Sequence, residues 1–210
     1  KRLGGTALIG ICGDGETLLG DKIIDVSLQL LQEGHFLHIV TNGTVTRRIE
    51  ELIDKAGDRA RQLFFKLSFH YLELKNRGLL DQFEKSVELI LNSEASFTIE
   101  LTADDNLVPY IDELKLYSIL KFGALPHITI ARDDTKPDIP ILTKYDLSHY
   151  YNIWSQFNSS LFAVKWKYYK VHILNCSAGE KSLYVDLLSG NVMKCLGCSS
   201  VGNIYDSQHE

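Results

Sequence analysis

The sequence has one methionine, few cysteines and no long apolar run, and these shortages exclude several classes of protein. No apolar run approaches the length of a transmembrane helix, and no basic segment followed by an apolar one opens the chain. Acidic residues outnumber basic ones by 27 to 22, which gives a net charge of −5 and argues against a nucleic-acid backbone as the main partner. We therefore expect a cytoplasmic protein that binds neither membrane nor nucleic acid.

The single methionine, Met193, also bears on whether the sequence is a whole protein or a fragment. The chain begins at Lys1, and its first recognisable element is a core strand with almost nothing before it. We interpret the sequence as a fragment of a longer protein. Its 210 residues, 45% of them hydrophobic, are enough to bury the core of one domain with an appendage.

The most informative stretch is residues 6–20, TALIGICGDGETLLG. A short apolar run that stops at glycine is typical of a buried parallel strand. Gly13 and Gly15 allow a sharp turn and close approach of another molecule, and Glu16 places a carboxylate at the strand's C-terminal end. Ligands of α/β proteins bind at such βα turns, so the motif is a candidate binding site. Alternatively, Glu16 is an ordinary first-turn acid that the helix dipole favours.

A strand followed by a helix recurs five times, at about the spacing of a βα unit. The predicted strands are residues 6–12, 36–41, 64–70, 97–101 and 127–131. The first four strands are each followed by apolar residues at helical spacing, including Leu19 in the first helix, and Thr46 is a candidate N-cap of the second helix. This alternation predicts an α/β fold with a parallel sheet and helices outside it, either open or closed into a barrel.

The rest of the chain departs from this repeat. A charged, proline-containing loop over residues 132–140 ends it, and a helix is predicted over about residues 146–157. We divide the chain at residues 1–140, 141–170 and 171–210. KWKYYK, residues 165–170, is interpreted as the edge of a strand or helix whose lysines extend to solvent rather than as a nucleic-acid patch.

The last segment contains three of the four cysteines: Cys176, Cys195 and Cys198. Between the first two, the alternating runs 183–187 and 191–194 predict a β-hairpin with its turn at Ser189 and Gly190. The hairpin would bring Cys176 close to Cys195. The C-x2-C spacing of the last pair lets both thiolates point at one ion, which favours a metal site.

Three chemistries compete for these thiols. Disulfides need an oxidising compartment, and a chain of this size with four cysteines does not depend on them. Zinc needs a fourth ligand, for which His172 and His209 are candidates, although neither has a recognised zinc-ribbon spacing. An iron–sulfur cluster accepts three cysteines and a remote ligand. The spacing favours a metal without selecting which one.

Three motifs together resemble a known family. GDGETLL at the end of the first strand, TNGT at the end of the second, and the C-x13-G-x4-C hairpin resemble radical S-adenosylmethionine (SAM) enzymes with a SPASM or twitch extension. The resemblance implies an incomplete TIM-like (β/α) barrel of five units followed by a small cysteine-containing hairpin. It also implies that Gly13, Asp14, Gly15 and Glu16 hold the amino group of SAM. Thr17 replaces a proline that is frequent in the family.

The resemblance extends to two other strand ends. Ser68 stands where the family places a polar contact to the SAM ribose, although a serine beside His70 also satisfies local backbone groups. Asn42 would shape the same rim, and the alternative is a turn asparagine before glycine. We expect Glu16, Asn42, Ser68 and His70 to lie along one rim, at the C-terminal ends of the parallel strands.

The family's C-x3-C-x2-C loop, which holds the catalytic [4Fe–4S] cluster, does not occur in this sequence. The resemblance places that loop upstream of GDGE, on the missing N-terminal part. Cys12 does not replace it, because one cysteine in an apolar strand is typical of core packing. The family's auxiliary iron–sulfur cluster corresponds to Cys176, Cys195 and Cys198.

The resemblance implies an enzyme that cleaves SAM reductively to a 5′-deoxyadenosyl radical, which takes a hydrogen atom from the substrate. Many relatives modify peptides or proteins, which points to a peptide or protein substrate, and the electron donor would be a flavodoxin or ferredoxin. We expect the fragment alone to be inactive. The alternative is a non-enzymatic α/β binding module with a structural zinc site at its cysteine tail. A C-x3-C-x2-C motif encoded upstream of Lys1 would discriminate the two.

Overall fold

The computed structural model describes residues 5–13, 15–133, 135–136, 138–169, 177–195 and 198–206. The chain forms two compact units, Lys1–Tyr169 and Lys170–Glu210. The first unit is an α/β structure built on one parallel sheet, and the second contains a small antiparallel sheet.

The five-stranded sheet of the first unit has the order β1-β2-β3-β4-β5, and each neighbouring pair is parallel. Its strands are β1 (Leu8–Ile11), β2 (Phe36–Thr41), β3 (Leu63–Ser68), β4 (Ser96–Ala103) and β5 (His127–Ile130). The prediction of a parallel sheet in sequence order is therefore confirmed. All five C-terminal strand ends lie at the same edge of the sheet, where binding sites of α/β proteins are found.

Seven α-helices accompany the strands in the described residues. They are α1 (Ile23–Gln32), α2 (Thr46–Ala56), α3 (Tyr71–Asn76), α4 (Leu80–Leu91), α5 (Ile111–Phe122), α6 (Leu147–Trp154) and α7 (Ser160–Tyr168). The short helix α3 was not predicted. Leu19 was assigned wrongly to the first helix, because it belongs to a separate 3-10 turn, Thr17–Leu19, and its side chain is 66% exposed.

The ends of α1 and α2 agree with the prediction at their C-terminal glycines but not at the N-cap of α2. Gly34 and Gly57 follow α1 and α2 with positive φ angles of 86° and 53°, which glycine adopts most readily. Thr46 is not the N-cap of α2, because that position is Val45 and Thr46 is the first helical residue. The Thr46 hydroxyl lies 2.7 Å from Ser86 Oγ on α4, so it links two helices instead.

Alternate residues of the strands lie on two different faces of the sheet. One face carries fully buried apolar side chains such as Leu37, Phe65 and Leu101, which belong to the hydrophobic core. On the opposite face, polar side chains follow the alternate positions. We call it the polar face; its polar residues are His38, Lys66, Ser68, Ser96, Thr98, Glu100, Thr102, His127 and Thr129.

Helices α6 and α7 belong to the core of the first unit. Tyr150, Trp154 and Phe162 are almost completely buried in it. Ser159 caps α7 by accepting a hydrogen bond from Phe162 N, and its hydroxyl oxygen also accepts one from Ile128 N of β5 at 2.9 Å. The start of α7 is therefore tied to the last strand of the sheet. Most of KWKYYK lies in this helix.

The second unit contains a three-stranded sheet of β6 (Tyr184–Val185), β7 (Asn191–Met193) and β8 (Ser200–Asn203). The pairing of β6 with β7 is antiparallel, which confirms the predicted hairpin, whereas β8 was not predicted. Gly190 has a φ of 76°, and a β-carbon there would lie 2.3 Å from the Tyr205 ring. The hairpin turn therefore requires glycine both for its backbone angle and for the ring that packs on it.

Candidate active site at the C-terminal ends of the strands

The Glu16 carboxylate connects the loops that follow β1 and β2. Its Oε1 accepts hydrogen bonds from Leu18 N at 3.0 Å and from the Thr41 hydroxyl at 2.7 Å. Its Oε2 accepts one from Asn42 N, also at 2.7 Å. The bond to Leu18 caps the 3-10 turn, as expected of a first-turn acid. The other two bonds show that the same carboxylate holds GDGE against TNG.

Gly13 and Gly15 are exposed on either side of position 14, while Glu16 is half-buried. Gly15 has a φ of 97°, so this turn requires the conformational freedom of glycine. Gly13 N donates to the Thr17 hydroxyl at 3.1 Å, so the threonine side chain stabilises this turn. Asp14 lies outside the described residues.

The Asn42 side chain is occupied by its own turn. Its Oδ1 accepts hydrogen bonds from Thr44 N at 2.9 Å and from the Thr44 hydroxyl at 2.6 Å. These bonds are those of an Asx turn, the alternative considered for this asparagine. Asn42 therefore contributes its backbone N–H to the Glu16 carboxylate, and its side-chain oxygen shapes the loop.

Ser68 is the last residue of β3, and His70 is exposed just before α3. Between them, Phe69 is 1% exposed and packs against Phe83, with ring centroids 4.9 Å apart. This buried ring anchors the loop, so the flanking Ser68 and His70 are held at the C-terminal edge of the sheet. Within the described residues, the Ser68 hydroxyl has no hydrogen-bond partner, and it is half-buried beside Glu100 on β4.

Cys12 does not pack in the core as expected, because its side chain is exposed. The strand alternation explains the error. Ile9 and Ile11 pack with the core and Ile11 is 7% exposed, so the next residue points to the opposite face. β1 is an edge strand of the five-stranded sheet, and that face is uncovered at Cys12.

An ion pair lies on the polar face. Lys66 Nζ on β3 is 2.9 Å from Glu100 Oε2 on β4, and the two side chains are 26% and 13% exposed. His38 on β2 lies nearby: burial lowers its pKa below the ordinary 6.5, the positive charge of Lys66 lowers it further, and the Glu100 carboxylate opposes both effects. Because His38 responds to both charges, the three side chains form one electrostatic group.

Lys165 extends this group from α7. Its ammonium donates a hydrogen bond to the Thr129 hydroxyl on β5. Burial lowers the pKa of Lys165, and the charges of Lys66 and Arg132 act in the same direction, against the Glu100 carboxylate. Lys165 is half-buried, so it does not extend freely into solvent as we expected for the lysines of KWKYYK.

Two shallow depressions lie at the ends of β4 and β5. One is lined by residues that include Thr102, Thr129 and Arg132, and it adjoins the Lys165 ammonium through Thr129. The other includes Asp105, whose carboxylate accepts hydrogen bonds from the Thr143 hydroxyl and Lys144 N. The Asp105 carboxylate therefore stabilises the loop after β5.

The sequence analysis did not identify Thr41, Lys66, Glu100 or Lys165. A signal for two of them was present in FFKLSF and TIELTA, where polar and apolar residues alternate. Strands of a parallel sheet that are buried on both faces are continuously apolar, so alternation indicates that one face is not covered by a helix. Thr41 lies in TNGT and Lys165 in KWKYYK, but neither pattern indicates the role of the residue, because those roles depend on distant parts of the chain.

The cysteine tail is described in part. Cys195 and Cys198 are exposed free thiols, and Cys198 N donates a hydrogen bond to Cys195 O at 3.1 Å. Cys176, His172 and His209 lie outside the described residues. Across the part of the chain that the structure describes, no three His, Cys, Asp or Glu side chains form a group that could hold a metal ion.

Comparison with known proteins leaves the family undetermined. The chain matches no protein-family model and no curated protein sequence. None of the helices in the described ranges has both the length and the apolar character needed to cross a membrane. The function must therefore be argued from the site itself.

Proposed function

We propose that the chain belongs to a radical SAM enzyme, which cleaves SAM reductively to a 5′-deoxyadenosyl radical and abstracts a hydrogen atom from a peptide or protein substrate. The main support for this proposal is that the Glu16 carboxylate joins the GDGE turn to Thr41 and Asn42 at the C-terminal edge of the sheet. GDGE and TNG, which belong to two of the motifs that resemble the family, are therefore in contact. In this proposal the sheet is an incomplete barrel, and the polar face is its inner surface.

The GDGE turn fits SAM mainly through its backbone. A carboxylate offers about four lone-pair positions, and Glu16 already uses three of them within the protein. Glu16 therefore holds the turn in shape, and the exposed backbone at Gly13 and Gly15 is left to receive the methionyl ammonium. Ser68, with its unused hydroxyl on the same edge, would contact the ribose.

Cys195 and Cys198 fit an auxiliary iron–sulfur cluster because both thiols are exposed and a backbone hydrogen bond joins the two residues. Cys176 would be the third ligand. Gly179, three residues after it, lies against the Lys194 side chain, because a β-carbon at Gly179 would be 2.8 Å from Lys194 Cγ. The chain before β6 and the chain after β7 are therefore neighbours close to two of the proposed ligands.

When bound, the catalytic cluster and SAM supply the electron and the radical. This chain's residues position the reactants: the GDGE turn orients SAM, and the polar face presents hydrogen-bonding groups to the substrate. The electron would come from a flavodoxin or ferredoxin. Since the sequence contains no C-x3-C-x2-C loop, we expect the 210 residues alone to form no 5′-deoxyadenosine from SAM.

The SAM site can be tested by calorimetry or ligand-observed NMR with SAM itself. We expect weak binding, and Gly15→Val should reduce the affinity by about tenfold or more, since valine disfavours the positive φ of the turn. Gly34→Val is the matched control, because Gly34 also has a positive φ but lies at the end of α1. Equal affinities of wild type and Gly15→Val, or equal losses in both variants, would contradict the proposed SAM site.

The tail can be tested by anaerobic incubation with iron and sulfide. We expect near-equal amounts of bound iron and sulfide with broad visible absorption. Cys195→Ala and Cys198→Ala should each lose most of the bound iron and sulfide, whereas Cys12→Ala should retain both. Circular dichroism would verify that each variant is folded. Stoichiometric zinc without bound sulfide would support the alternative, a binding module with a structural zinc site.

A further inference from the structure

The depression between β4 and β5 has two cationic residues beside it, and it adjoins a second depression that is lined in part by Asp104 and Asp105. Its lining residues include Thr102, Thr129 and Arg132. Lys165 reaches it from α7 through a hydrogen bond to Thr129. Two cationic side chains and two hydroxyl groups are thus gathered at one concave place on the C-terminal edge of the sheet.

The positive charges of Lys165 and Arg132 are not neutralised by the nearby pair of Lys66 and Glu100. Lys66 is paired with Glu100 at 2.9 Å. No carboxylate of the described residues lies within ion-pair distance of Lys165 Nζ, and the Glu100 carboxylate acts on it at longer range. Of these charged side chains three are cations, including Arg132, and one is an anion. Partial burial strengthens the attraction of this excess for an anion.

We propose that this depression binds a carboxylate group of a ligand, between the Lys165 ammonium, the Arg132 guanidinium and the Thr129 and Thr102 hydroxyls. Each of these groups donates hydrogen bonds, and a carboxylate accepts them from several directions. A singly charged carboxylate suits the site better than a phosphate dianion, because the Glu100 carboxylate faces the same group and would repel the second negative charge.

The site is separate from the proposed SAM turn. Glu16 and its partners follow β1 and β2, whereas Thr102, Thr129 and Arg132 follow or end β4 and β5 at the other side of the sheet. The inference rests on the charges and hydroxyls of this depression and does not require the proposed enzymatic function. Free amino acids, dicarboxylates and peptide C-termini share the chemistry.

The test compares acetyl-glycyl-glycine with its C-terminal amide, using NMR titration of the whole chain. We expect the acid to bind and the amide to bind at least about tenfold more weakly, since the amide has lost the charge-assisted hydrogen bonds. Succinate and inorganic phosphate are further probes. Tighter binding of phosphate than of either carboxylate would overturn the assigned ligand class, and equal binding of acid and amide would overturn the site.

Variants locate the binding. Lys165→Met should lower the affinity for the acid by about tenfold or more. Arg132→Gln should also lower this affinity, and it leaves the core intact because the Arg132 side chain is exposed. Lys85→Met removes one positive charge from the exposed surface of α4 and is the matched control. Equal losses of affinity in Lys85→Met and Lys165→Met would show that only net charge matters and would refute the proposal. If Lys165→Met does not fold, unchanged binding by Arg132→Gln would refute it instead.

Discussion

Gly43 lies directly against the ring of Phe83, since a β-carbon at Gly43 would come within 2.7 Å of the ring. Gly43 belongs to the TNG turn after β2, and its N–H donates to the Thr41 hydroxyl at 3.2 Å. Phe83 lies on α4 and is fully buried. The turn that completes the Glu16 site is therefore packed onto the core, and its shape depends on the absence of a side chain at position 43.

Gly43→Ala should destabilise the protein more than Gly34→Ala. Both glycines have positive φ angles, 71° and 86°, so each substitution carries the cost of about 1–2 kcal/mol for a left-handed residue. Alanine at position 34 meets no atom within 4 Å, whereas at position 43 it meets Phe83. Overpacking adds about 1–3 kcal/mol. Urea unfolding measures the difference, and equal losses in the two variants would show that Phe83 moves aside freely.

Glu16→Gln should lower the free energy of unfolding by about 1–2 kcal/mol, because the charge is lost and an amide NH2 must face one of three backbone or hydroxyl donors. Glu50→Gln, at an exposed position on α2, is the matched control and should change stability by less than about 0.5 kcal/mol. Both are measured by urea unfolding. If Glu16→Gln were as stable as Glu50→Gln, the carboxylate would not connect the two loops energetically.

His38 should make stability depend on pH in a defined direction. Burial and the charge of Lys66 lower its folded pKa below 6.5, so the unfolded chain binds more protons than the folded one in the window below 6.5. The stability is therefore complete above that value and decreases as the pH falls toward the folded pKa. Between about pH 7 and pH 5 the wild type should lose more stability than His38→Gln. Unfolding curves at both pH values measure this.

NMR titration of the His38 ring gives an independent measurement. Lys66→Met should raise the pKa of His38 toward its ordinary value, because it removes a nearby positive charge, and Glu100→Gln should lower it further. Lys85→Met, on the surface of α4, should leave it unchanged. A His38 pKa that did not respond to either charge on the polar face would contradict the electrostatic group described there.

Much of the fold of the first unit was predictable from the sequence because its signals are local. Each strand is a short run rich in apolar residues that ends at a polar or glycine-containing turn, and the first four strands are followed by apolar residues at helical spacing. Gly34 and Gly57 indicate where two of the helices end. Since parallel neighbours need a crossover, the alternation of strands and helices also predicted that the strands are parallel.

Tertiary structure decided what could not be seen locally. Whether Cys12 is buried depends on which sheet face the helices cover, and the helices cover the face of Ile11. Thr41 and Glu16 are 25 residues apart in sequence, and Lys165 and Thr129 are 36 apart. No periodicity joins such pairs, because strand register and helix docking bring them together. The sequence alone determined that a glycine-rich turn follows the first strand, and only the packing of the sheet decided which side chains surround it.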